Sequence, residues 1–256
     1  MKKISLYISA AIVALSMSSC DLDSVSMKEA DTTNFPKTTE QINQTLAGVY
    51  QNLNEISKNP QESYLYWSLL ASDDMLGGGG LNDKLMQACD LLCNYGTNMT
   101  ENFWKARYQG INRANTLIEA LENVEIEATA KAQALGEAKF LRAFYYYELA
   151  SMYGRVPLNL TSTAPDNTTP PSAAEIWGQI LQDLYEASTT MPAQRLTNGH
   201  VDKYGAEAML GRAWLFYTGF YCNGEEIKDL TSTNYSPMTE VALPNGTTLT
   251  KKMVSD

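Results

Sequence analysis

One pattern occurs twice in the chain. Glu137-Ala138-x3-Arg142-Ala143-Phe144-x2-Tyr147 returns seventy residues later as Glu207-Ala208-x3-Arg212-Ala213-Trp214-x2-Tyr217. The segments that precede the two copies carry Trp104 and Trp177, offset by seventy-three. A repeat of this kind restricts the chain to a stack of equivalent units, each of which covers its apolar face with its neighbours. Alanine at one turn and a large aromatic at the next let two helices approach closely and antiparallel. The expected fold is therefore all-α: tetratricopeptide-like antiparallel helix pairs, followed by a short irregular C-terminal tail.

Local signals divide the chain into helices. Thr38-x-x-Gln41 is a capping-box pattern, followed at helical spacing by Ile42, Leu46, Val49, Tyr50, Leu53 and Ile56, with a stop near Asn59-Pro60. A second helix is expected from about Ser63 through Trp67 and Leu70 to the break at Gly77-Gly78-Gly79-Gly80. Residues 82 to 95 fit a short helix or a loop equally well. A third helix begins near Asn98 or Thr100 and carries Trp104, Tyr108, Ile111, Asn115, Ile118 and Leu121. The fourth spans about Ala128 to Tyr153, with Gly154 and Pro157 as its stop. The fifth opens on the capping box Ser172-x-x-Glu175 and ends by Pro192, and the sixth follows Asp202 and runs to about Tyr221. Residues 223 to 256 read as loop or hairpin, with alternation at Val241-x-Leu243.

The first nineteen residues read as a targeting segment. Met1-Lys2-Lys3 is a cationic start, and Ile4 to Met17 is an apolar run too short to span a bilayer. The run ends in Met17-Ser18-Ser19-Cys20, small residues before a cysteine, as at a lipoprotein cleavage site. Cys20 is the expected acylated first residue. Each buried methylene of a lipid chain contributes about 0.8 kcal/mol, so several acyl chains suffice to anchor a folded domain. Residues 20 to 37 are polar and suit a tether. The formal charge is −10. No stretch gathers Lys and Arg densely enough to exchange counterions with phosphates, which argues against a nucleic-acid partner.

The chemistry of catalytic and metal sites finds few of its ingredients. His200, in Asn198-Gly199-His200-Val201-Asp202, is the one histidine of the chain, and as a loop residue it is expected to be solvated. No Gly-x-Ser-x-Gly elbow accompanies it. Cys89 and Cys93 stand one helical turn apart, a spacing for packing rather than for a disulfide, and with Cys222 they are expected to be buried thiols. Neither a metal nor a cofactor is implied. The four glycines are followed by Leu81-Asn82-Asp83-Lys84, with none of the Lys-Ser/Thr pairing of a phosphate-binding loop.

Several of these segments together resemble the N-terminal half of SusD/RagB nutrient-uptake lipoproteins. They are Cys20, Thr38-Thr39-Glu40 leading to Ala47-Gly48-Val49-Tyr50, and Trp104-x3-Tyr108-x2-Ile111-x3-Asn115. The run Gly136-Glu137-Ala138-Lys139-Phe140-Leu141-Arg142-Ala143-Phe144-Tyr145-Tyr146 and Tyr153-Gly154-x-Val156-Pro157-Leu158 complete the set. The resemblance covers about residues 20 to 222. It implies a non-catalytic outer-membrane lipoprotein, facing outward, that captures oligosaccharides or peptides and hands them to a SusC-like TonB-dependent transporter. The alternatives are a repeat scaffold that only docks on a transporter, or a surface glycosidase, for which twenty-nine acidic residues supply carboxylates. The expected organisation is a signal peptide (1–19), an acylated tether (20–37), a SusD-like helical repeat domain (38–222) and an irregular tail (223–256) that begins a second half.

Ligand contacts are expected around the glycine run. Asp73, Asp74, Asn82 and Asp83 carry oxygens and amides that hydrogen-bond sugar hydroxyls, and the glycines leave the backbone open to close approach. Trp67 joins them because its neighbours Tyr64, Leu65 and Tyr66 cover every helix face, so some of these side chains must be exposed. Trp104, Trp177 and Trp214 lie in helical stripes and are expected in the core. Arg142 and Arg212, beside Glu137 and Glu207, are expected to make structural ion pairs or helix-end contacts.

Overall fold

A computed structural model describes residues 35–55, 63–72, 75, 100–163, 169–194, 196–222, 225–226 and 238–255. The chain divides into Met1–Phe35 and Pro36–Asp256, and every described helix and strand lies in the second unit. Its helices are α1 (Thr39–Glu55), α2 (Tyr64–Leu70), α3 (Glu101–Glu122), α4 (Ala128–Tyr153), α5 (Ala173–Thr190), α6 (Lys203–Phe220) and α7 (Lys251–Ser255). Two small antiparallel sheets complete it: β1 (Tyr221–Cys222) with β2 (Glu225–Glu226), and β3 (Glu240–Ala242) with β4 (Thr248–Thr250).

The helix starts follow their capping residues. Gln41 N–H donates to Thr38 Oγ1 at 3.2 Å while Gln41 Oε1 takes the Thr38 N–H at 3.3 Å, a reciprocal box. The same exchange joins Ser172 and Glu175 at the head of α5. Asp202 Oδ1 accepts the Gly205 N–H at 2.9 Å and opens α6. Helix α4 is capped by Glu127, whose carboxylate accepts from Thr129 N and Ala130 N; these bonds hold its pKa below the ordinary glutamate value. The helix ends at Gly154, where φ of 70° suits a residue without a Cβ.

Cross-helix contacts fix antiparallel packing throughout. Rising residues of α4 meet falling residues of α5: Gly136 lies against Met191 just beyond α5, Lys139 pairs with Glu186, Arg142 with Asp183, and Tyr147 packs on Trp177. Helices α3 and α4 are likewise antiparallel, with Gly110 on Tyr145 and Arg107 on Glu148. They approach so closely that a Cβ at Gly110 would lie 2.5 Å from the Tyr145 ring. That ring is wholly buried, and its hydroxyl donates to Val49 O of α1 at 2.7 Å. The core runs through α1, α3, α4, α5 and α6, with Leu46, Ile111, Leu141, Trp177 and Trp214 among its members.

Of the loop or hairpin expected for the tail, the described residues 238–255 contain the hairpin. Strands β3 and β4 form a hairpin with Val241 opposite Leu249, turning at Gly246 with φ of 85°. Val241, Leu243 and Leu249 are buried in the main core. Asn245 fixes the hairpin to α5, its N–H donating to Gln182 Oε1 at 2.8 Å and its amide to Glu186 Oε1 at 3.1 Å. The alternation of Val241 and Leu243 was the sign of a strand with one buried face.

Candidate ligand-binding face

Helix α2 places Trp67 differently from the exposed position expected of a sugar platform. With only seven residues, it turns Trp67 and Leu70 inward together. Trp67 is 1% exposed and meets Phe103 edge-on at 4.9 Å, while Leu65, 67% exposed, takes the outward position. A ring with so little of its surface exposed has no face to offer a ligand. Asp73, Asp74, Asn82, Asp83 and the glycine run lie outside the described residues, as do Cys20, Cys89 and Cys93.

Partly exposed aromatics gather where the first turns of α3 meet the end of α4. Trp104 stands 4.9 Å from Tyr108 and 5.1 Å, edge-on, from Tyr153 at the end of α4. Sequence periodicity puts Trp104 in the core, but it is only partly buried, whereas Trp177 and Trp214 are core residues as expected. The Tyr108 hydroxyl donates to Pro157 O at 2.7 Å, and burial raises its pKa above the ordinary phenol value, so it remains a neutral donor. Aromatic edges and faces of this kind stack on apolar faces of ligands while their polar tips hydrogen-bond.

Buried charge pairs brace the face from below. Arg107 pairs with Glu148, donates from Nη1 to Asn52 O at 2.9 Å, and lies 5.2 Å from the Phe103 and Tyr145 ring centroids. Burial pushes the Glu148 carboxyl up, against the pull of Arg107. Arg142 does pair structurally, but its partner is not the neighbouring Glu137: Nε and Nη2 reach the two oxygens of Asp183 at 2.7 and 2.8 Å, and Nη1 reaches Asn115 Oδ1 at 2.9 Å. Arg212, in the equivalent repeat position, is exposed; its Nε donates to the Tyr147 hydroxyl at 3.3 Å, and the guanidinium lies 5.7 Å from that ring's centroid.

Glu137 instead centres a cluster that sequence reasoning missed. Its Oε2 accepts from the Tyr50 hydroxyl at 2.7 Å and lies 2.7 Å from His200 Nδ1, while Oε1 accepts from Gln133 at 2.6 Å. His200, expected to be solvated, packs against the Tyr50 ring with centroids 4.7 Å apart. The cluster ties the α5–α6 loop to α1 and α4. Among the described residues no three His, Cys, Asp or Glu side chains are grouped to hold a metal ion, and no described helix is long and apolar enough to cross a membrane.

Residues 21–215 match the SusD-like family described as starch-binding and associating with the outer membrane. The chain is 23% identical over 205 residues to SusD-like protein P2 of Formosa agariphila, covering 75% of this chain and 39% of that protein. It is 30% identical over 164 residues to SusD-like protein P38 of the same organism, covering 61% and 31%. Among solved structures, a laminarin-binding SusD-like protein aligns with a TM-score of 0.62 and 28% identity, over 71% of this chain and 41% of its own. Surface glycan-binding protein A from Bacteroides fluxus aligns with a TM-score of 0.61 and 26% identity, over 71% and 40%. The chain thus spans less than half the length of these relatives.

Proposed function

The chain belongs to the SusD-like family, and from that premise we propose that it captures glycans at the outer membrane without cleaving them and passes them to a SusC-like TonB-dependent transporter. The observation that carries this reading is the match of the helical stack to proteins described as laminarin-binding and surface glycan-binding. The partly exposed rings of Trp104, Tyr108 and Tyr153, at the start of α3 and the end of α4, form a surface suited to sugars. Asp73, Asp74, Asn82 and Asp83 are the polar contacts in this scheme, and Cys20 carries the acyl chains that hold the protein to the membrane.

Screening the full chain on a glycan array, followed by calorimetric titration of the hits, tests capture. Saturable binding that Asn82→Ala weakens about tenfold, the worth of one or two hydrogen bonds, is the expected result. Silence on every glycan, with transporter association retained, would leave a scaffold. Anchoring is tested separately: Cys20→Ala should move the protein from the detergent phase to the soluble fraction, and unchanged partitioning would refute acylation at Cys20.

A further inference from the structure

We propose that Asn198 is a site of spontaneous covalent modification: its side-chain amide is lost to attack by the backbone, and the product loosens the loop between α5 and α6. The inference stands apart from glycan capture. An asparagine followed by glycine can cyclise because glycine sets no Cβ beside the attacking nitrogen. Whether it does so in a fold depends on what holds that nitrogen. The chain has three such pairs, Asn198-Gly199, Asn223-Gly224 and Asn245-Gly246, of which the first and third lie within the described residues.

The two are held differently. Residues 197–200 form a tight turn, closed by the His200 N–H on Thr197 O at 3.3 Å, with Gly199 at φ of 84°. Such a turn uses the N–H of its last residue and leaves over the one at its centre, that of Gly199. Neither this N–H nor the Asn198 amide has a hydrogen-bond partner among the described residues. At Asn245-Gly246 the corresponding groups are all committed. Gly246 N–H donates to Leu243 O at 3.0 Å, Asn245 Nδ2 donates to Glu186 Oε1 at 3.1 Å, and Asn245 Oδ1 accepts from Thr247 N at 2.9 Å. Cyclisation there must first break these bonds, so its rate falls with the fraction of time they are open.

In the reaction the Gly199 nitrogen bonds to Asn198 Cγ. Its proton passes through solvent to the departing side-chain NH2, which leaves as ammonia. Water then opens the five-membered imide at one carbonyl or the other, giving aspartate or isoaspartate, and nothing is oxidised or reduced. Isoaspartate lengthens the main chain by one C–C bond, about 1.5 Å, inside a turn that carries the contacts of the next two residues. His200 Nδ1 lies 2.7 Å from Glu137 Oε2, its ring packs on Tyr50, and the Val201 N–H donates to the Tyr50 hydroxyl at 3.0 Å. These contacts tie the loop to α1 and α4, and the longer turn displaces them.

The full chain is incubated in mildly alkaline buffer and digested with trypsin, which puts the three pairs into separate peptides, 196–203, 213–228 and 229–251. Peptide 196–203 is expected to gain the mass of an amide-to-acid change within a few-fold of the rate of the same peptide free in solution. It should also accept a methyl group from an isoaspartyl methyltransferase. Asn245 should lag its own free peptide by about tenfold or more, because one or two hydrogen bonds must open first. Asn198→Gln, whose longer side chain would have to close a six-membered imide, should abolish the gain in 196–203 with helicity unchanged. In the isoaspartate form, separated by chromatography, the Val201 amide should exchange with deuterium faster than in the unmodified chain. Asn198→Asp, which adds charge without length, should speed it less. No conversion at Asn198, or conversion at Asn245 as fast, overturns the site, and unchanged exchange at Val201 in the isoaspartate form overturns the effect on the loop.

Discussion

Asp183→Ala is expected to destabilise the fold by about 3–5 kcal/mol, the range for breaking a buried ion pair. Asp183 is 1% exposed and accepts two bonds from Arg142, with Gln179 Nε2 donating to it at 3.0 Å. Burial opposes the charge of Arg142, and Asp183 is the main influence that keeps the guanidinium protonated. Without that carboxylate a cation is stranded between α3, α4 and α5. Urea denaturation reads the loss directly. Replacing both partners with apolar residues, as Arg142→Met with Asp183→Leu, should recover most of it, because the desolvation cost disappears along with the pair. A loss below about 1 kcal/mol for the single change, the range of an exposed pair, would mean that water reaches the site.

Trp177→Ala should cost a similar amount, about 3–5 kcal/mol for a large aromatic deleted from a packed core. Trp177 has no exposed surface and stacks on Phe216 at 5.1 Å and Tyr217 at 5.7 Å, with Tyr147 edge-on at 5.8 Å. The cavity would open at the joint between α4, α5 and α6, so thermal unfolding should fall sharply and the near-ultraviolet circular dichroism should lose intensity. Trp177→Phe should cost much less. It keeps an aromatic ring in the stack and removes an indole N–H that lacks an acceptor among the described residues. Equal losses for Ala and Phe would contradict this view of the joint.

These two residues also show what is legible in a sequence of this kind. Helical periodicity puts Trp177 in the core, the spacing of charges points to a structural ion pair or helix-end contact for Arg142, and Gly154 and Ser172-x-x-Glu175 set where α4 stops and α5 starts. Which residue faces Arg142 is decided by packing between helices. The adjacent Glu137 is the nearest candidate in sequence, yet it turns toward Tyr50 and His200, which lie 87 and 63 residues away from it. No local signal marks such a meeting. Trp67 fails for another reason: Tyr64-Leu65-Tyr66-Trp67 has no polar side to define an outward face, so the packing of Phe103 decides which ring goes in. Of the candidate site, the aromatic rim was not legible, because periodicity puts Trp104 in the core and only packing leaves it partly exposed. The Asp and Asn contacts expected around the glycine run lie outside the described residues.

Capture without cleavage is the central claim, and titration with recovery of the ligand tests it most directly. The full chain is saturated with the best glycan from the array, the heat of binding is measured, and the sugar is then released and sized. Saturable binding with the oligosaccharide recovered at its original length is the predicted result; shortened products, or no saturable binding by any glycan, would contradict it.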